Sequence, residues 1–89
     1  MSEQDPTLLE FPCDFPIKVF GLNQDGLEAL VLAIARRHAP DIADDAVSSR
    51  LSGSGKYTAV TVAVWAQSQA QLDAIYRDLT ASPEIIMSL

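Results

Sequence analysis

Two kinds of hydrophobic spacing run along this chain. Residues 57–66 (YTAVTVAVWA) carry Val60, Val62 and Val64 on one parity and Tyr57, Thr61 and Trp65 on the other. A period of two is what a half-buried strand needs, because successive side chains point to opposite faces of a sheet. Leu27, Leu30, Val31 and Ile34 instead recur at i, i+3, i+4 and i+7, one apolar stripe of an α-helix. Asp25 followed by Glu28 has the form of a capping box for that helix. Arg36, Arg37 and His38 place cations at its C-terminal end, and Pro40 stops it. A second stripe, Leu72, Ile75, Tyr76 and Leu79, follows a Ser68–Gln71 capping pair and breaks at Ser82-Pro83.

The remaining elements are shorter. Residues 15–22 (FPIKVFGL) are rich in β-branched and aromatic residues and read as a strand, with Pro16 confining its start to an edge or entry position. Val47, Ser49 and Leu51 alternate with Ser48, Arg50 and Ser52, and Gly53-Ser54-Gly55 then turns the chain into the strand of residues 57–66. Residues 85–89 form a final strand. Residues 1–14 are polar and then proline-punctuated, an arm whose large apolar residues are Leu8, Leu9 and Phe11. The predicted organisation is thus an N-terminal arm, 1–14, and one α+β domain, 15–89, with the order βαββαβ. Right-handed crossovers and the tight central hairpin lead to a ferredoxin-like sandwich: an antiparallel sheet in the order 4-1-3-2 with two helices on one face.

Composition narrows the functional classes. A chain of 89 residues suits one domain, and 48% apolar residues supply a single core. The net charge of −6, with only six basic residues, opposes nucleic-acid binding and docking on anionic membranes. The lone Cys13 has no partner for an internal disulfide and lies beside Asp14, which disfavours a thiolate, so a structural role is expected of it. Glu3 and Asp5 stand where a signal peptide carries Lys or Arg, and no window approaches the roughly 20 apolar residues of a membrane span. The expected location is the cytoplasm.

The residues Leu8-Leu9-Glu10-Phe11-Pro12, Lys18-Val19, Gly21 and Arg37-His38-Ala39-Pro40, with Gly55-Lys56-Tyr57 and Tyr76 further on, resemble the YbeD-like family of small bacterial proteins of unknown function. The likeness extends over nearly the whole chain. It implies a ferredoxin-like fold similar to ACT regulatory domains and assigns no activity. Family members are often encoded near lipoate-attachment enzymes, an association with lipoate metabolism. ACT domains that bind amino acids use a D-x-x-G-L turn between strand and helix, often at a dimer interface. Here Asn23-Gln24-Asp25-Gly26-Leu27 match it, with Asn in place of Asp. Asn keeps an acceptor and adds a donor, and the helix N-terminus behind the turn favours a carboxylate. The same residue types also suit a plain helix-capping turn.

Other chemistry finds little support. Gly53-Ser54-Gly55-Lys56 is not a phosphate loop: the first glycine of G-x-x-x-x-G-K falls at Arg50, Tyr57 replaces the magnesium-holding hydroxyl, and a strand follows rather than a helix. His38, the single histidine, has no neighbouring pattern of metal ligands or nucleophile. No enzyme, metal or cofactor is therefore expected. If Ile17, Val19, Val60, Val62 and Val64 face the helices, then Lys18, Phe20, Thr61, Ala63, Trp65 and Ile86 face outwards. Aromatic residues on that open face without RNA-binding basic motifs point to a protein partner. The alternatives are a homodimer through the same face, or cover by the chain's own arm through Leu9 and Phe11. The favoured expectation is a non-enzymatic regulatory or adaptor domain, with a dimeric small-molecule sensor of amino acids or other carboxylates as the competing one.

Overall fold

A computed structural model describes residues 10–22 and 25–89. The elements are β1 (Cys13–Leu22), α1 (Leu27–Arg36), β2 (Val47–Ser52), β3 (Tyr57–Ala66), α2 (Gln69–Ala81) and β4 (Ile85–Ser88), with a short 3-10 turn at Asp44–Ala46. The strands pair antiparallel in the order β2-β3-β1-β4, the expected 4-1-3-2 read from the other edge. β1 and β3 form the spine, paired over ten residues from Cys13↔Ala66 to Leu22↔Tyr57.

The alternation in these two strands decides where the core lies. Ile17, Val19, Val60, Val62 and Val64 are fully buried beneath Leu27, Val31 and Ile34 of α1 and Leu72, Ile75 and Leu79 of α2. Each such side chain contributes roughly 1.5–3 kcal/mol relative to exposure. Both helices cover one face, and no helix among the described residues covers the opposite parity of β1 and β3.

β1 begins at Cys13, two residues before the predicted start, and holds Pro16 in the interior of a four-stranded sheet. The backbone explains how. Lys18 exchanges both of its backbone hydrogen bonds with Leu89, at 3.1 and 2.7 Å, so its polar groups point toward β4. Pro16, two residues earlier, points the same way, but the β4 side is paired only from Lys18 onward. The missing N–H therefore forfeits no ladder bond, and at Pro16 this central strand is locally an edge.

The two caps differ from each other. In α2, Ser68 Oγ accepts from the Gln71 backbone N–H at 3.1 Å, as predicted. In α1 the capping box is not formed. The N-cap is Gly26, at φ 87°, with no side-chain cap, and only glycine takes that left-handed conformation without steric cost. Glu28 turns away to accept a hydrogen bond from Ser49 Oγ of β2, tying the helix start to the outer strand. Phe11, like Cys13 and Phe15, is partly buried and packs against the core. Of the two arm residues considered as cover for the open face, Phe11 is thus placed against the core and Leu9 lies outside the described residues.

The second glycine that matters is Gly21. A Cβ there would lie 2.8 Å from the Glu84 carbonyl oxygen and 2.9 Å from Leu27 Cδ2. The bare backbone lets β4 and α1 close on the end of β1, where the β1–β4 register shifts between Phe20 and Gly21. Gly21→Ala is expected to destabilise the domain by about 1–3 kcal/mol, read as a lower urea midpoint. An unchanged midpoint would show that β4 is not held this closely.

Candidate functional site

The uncovered sheet face can be built row by row from the pairing register. Residues directly opposite in an antiparallel pair point to the same face. One row runs Ser48–Thr61–Lys18, with Leu89 beyond, and the next runs Arg50–Ala59–Phe20–Met87. Ser52–Tyr57–Leu22 flanks them at one end, and Ala63–Pro16 and Trp65–Asp14 at the other. Lys18, Phe20, Thr61, Ala63 and Trp65 thus share one face, as their parity implies. Ile86 instead falls where the β1–β4 register shifts, between the Phe20↔Met87 and Gly21↔Ile85 pairs. Met87 and Leu89 take up the open-face positions on β4.

This face is both apolar and locally cationic. Met87 is 49% exposed and Leu89 60%, with Phe20 half-buried beside Met87, and Trp65, 52% exposed, stands at the other end of the face. Ala59 is small and stands between Phe20 and Arg50, leaving a hollow of about 320 Å³ lined by Lys18, Arg50, Ser48, Ser52 and Thr61. Neither Lys18 nor Arg50 has an ion-pair partner among the described residues. Arg50 and Ser48 were legible as the outward parity of their strand. Met87 and Leu89 were not, because the register shift hides the parity of β4.

At the far end of the face, β3 outruns β2. The β2 pairing stops at Val47↔Val62, so residues 63–66 pair with β1 alone. The connection from α1 to β2 passes beside this end and encloses a cleft of about 460 Å³, with Asp14, Asp41, Trp65, Gln67 and Gln71 in its wall. Arg36 holds that connection in place: its guanidinium donates to the Ile42 carbonyl at 2.9 and 2.5 Å and pairs with Asp44 at 2.7 Å. Gln71 donates to the His38 carbonyl at 2.8 Å and accepts from the Gln67 N–H at 2.7 Å.

His38 joins the two helices. Its Nε2 lies 2.8 Å from Asp78 Oδ2 of α2, and Arg37 approaches the same oxygen at 3.6 Å. The cations at the end of α1 thus have a specific partner as well as the helix terminus. Among the described residues no three His, Cys, Asp or Glu side chains are placed to hold a metal. No helix among them is long and apolar enough to cross a membrane.

The strand-to-helix turn is placed in part. Asn23 and Gln24 lie outside the described residues. Asp25 and Gly26 are exposed at the start of α1, whereas Leu27 is a core residue, 2% exposed. Asp25, Gly26 and Leu27 border a cleft of about 420 Å³ with Ser49, Arg50, Leu51 and Thr58 of the neighbouring strands across it.

Strand order, antiparallel pairing and the one-sided helical layer define the class of this protein, a ferredoxin-like α+β domain. The solution structure of protein HP0495 from H. pylori has the same architecture: TM-score 0.73, 11% sequence identity, covering 100% of this chain and 93% of that one. The chain belongs to the family described as "Protein of unknown function (DUF493)", whose profile matches residues 6–89, and it is a YbeD-like small bacterial protein. It is similar to the UPF0250 proteins of Chromobacterium violaceum, 43% identical with both chains covered in full, and of Neisseria gonorrhoeae, 46% identical over 91% of each. The relative in Nitrosomonas europaea is 40% identical over the full length of both.

The His38 hydrogen bond, aided by the charges of His38 and Arg37, holds the Asp78 carboxyl below its ordinary range. A carboxyl lowered by folding adds stability above its unfolded pKa and loses it as pH falls through the folded one. The wild-type advantage over Asp78→Asn in urea unfolding is therefore expected to be full near neutrality and to shrink as pH falls below about 4. A gap that stays constant into acid would show that the clamp is not electrostatic.

Proposed function

We propose that this domain is a non-enzymatic adaptor or regulatory module that binds a protein partner through its open sheet face. One observation carries the reading. Both helices lie on the same side of the sheet, and the other side carries Phe20 on β1, Trp65 on β3, Met87 on β4 and Leu89 just beyond it, with Trp65, Met87 and Leu89 exposed. Exposed apolar side chains gathered on one face of a small domain favour an interaction surface, and aromatic anchors are what such surfaces use. The family itself is one of unknown function. His38, the side chain best suited to acid–base work, is engaged in joining two helices.

A second reading has one feature in its favour. The cleft beside Asp25 and Gly26 opens at the start of α1, whose backbone N–H groups favour a small carboxylate. Saturating amino acids that raise the melting temperature, with amide shifts confined to residues 21–27, would replace the adaptor reading with this sensor.

Site-specific photo-cross-linking in cells separates the faces. A benzophenone residue at Ala63, on the open face, is expected to capture a partner that the same probe at Thr80, on the exposed side of α2, does not. Lipoate-attachment enzymes are the first candidates to look for among the adducts, given the family resemblance. Equal capture from both positions, or capture from Thr80 alone, would sink the proposal.

A further inference from the structure

The charges of this protein are distributed unevenly between its two faces. Among the described residues ten are Asp or Glu, and only Asp14 occupies an open-face position on a strand. Lys18 and Arg50 do occupy such positions, in adjacent rows of the sheet, and Lys56 follows in the hairpin loop beside Tyr57. A chain with net charge −6 thus turns a cationic hollow outwards. Arg36, Arg37 and the His38 ring, by contrast, are occupied by Asp44 and Asp78. No Asp or Glu among the described residues lines the hollow.

We infer that the open face recognises an acidic segment of another protein, with carboxylates in the hollow between Lys18 and Arg50 and apolar side chains over Phe20, Met87 and Leu89. This rests on the open face being the interaction surface. Lys18 and Arg50 supply the charge, and the hydroxyls of Ser48, Ser52 and Thr61 line the same hollow and can donate to a carboxylate. The neighbouring apolar residues select a segment of mixed character over a uniformly charged one. A nucleic acid is a poor match, because its dense phosphate charge meets two strand cations and the repulsion of the remaining acidic surface. A two-fold pairing of copies centred on the hollow sets Lys18 and Arg50 against their own counterparts, an arrangement that like-charge repulsion opposes.

The test is a selection from a random-peptide display library on the immobilised full chain, followed by titration of the enriched synthetic peptides into labelled protein. Enriched peptides are expected to combine Asp or Glu with Leu, Phe or Trp and to shift the amides of residues 18, 20, 50, 59 and 61. Lys18→Glu with Arg50→Glu, checked for an unaltered fold by its amide spectrum, is expected to weaken binding by at least about tenfold. Arg50→Lys is expected to retain most of it, and peptides with Lys in place of the acids to bind the double variant better than the wild type. Rising salt is expected to weaken the wild-type complex. Enriched peptides that bind this face but lack acids and ignore the double substitution would overturn the acidic specificity and leave the face reading standing. Peptides whose shifts fall on the helices, or no enrichment at all, would overturn both. Sedimentation showing a dimer that the double substitution dissociates would assign the face to a second copy instead.

Discussion

The ten-residue antiparallel register between β1 and β3 is the constraint from which the rest follows. Because side chains alternate strictly, one slip of a single residue would send Ile17 and Val19 to solvent and bring Lys18 and Phe20 under the helices. Five fully buried β-branched side chains on the two strands hold that register against the helical stripes. The same pairing assembles the outward rows, so the composition of the open face is a by-product of how the core is locked. β4 then adds its own side chains only at the end of β1 nearest Phe20, which is why the apolar and cationic groups gather there.

Much of this was legible in the residues themselves. The V-x-V-x-V run of β3 and the four-residue stripe of α1 each admit one periodicity, and together they yield the strand order and the inward and outward sets. Five open-face residues, Lys18, Phe20, Thr61, Ala63 and Trp65, follow from parity alone. Reading failed where local geometry departs from a repeat. The register shift beside Gly21 obscures the parity of β4, which adds Met87 and Leu89 to the open face. Gly26, in a left-handed conformation, takes the cap position that the capping-box spacing assigns to Asp25. Phe11 packs against the core, and the strand starts two residues earlier than the sequence pattern places it. The His38–Asp78 pair, 40 residues apart in the chain, carried no sequence signal.

The clefts at the two ends of the sheet differ in kind because of where strands stop. One lies where β3 continues past the last pair with β2, and its walls come from the helix connection fastened by Arg36. The other lies where α1 begins without a side-chain cap and Glu28 reaches across to Ser49. Both fastenings involve charged side chains on or near exposed surface, so they are more sensitive to salt than the apolar spine between them.

β2 has a role of its own at the edge of the sheet. It is six residues long, three of its side chains are serines, and Arg50 sits among them. An outer strand that is short, hydroxyl-rich and charged is a poor template for a neighbouring molecule's backbone. A sheet bordered in this way can leave aromatic and aliphatic side chains uncovered on one flat face with less risk that copies will extend one another into fibres.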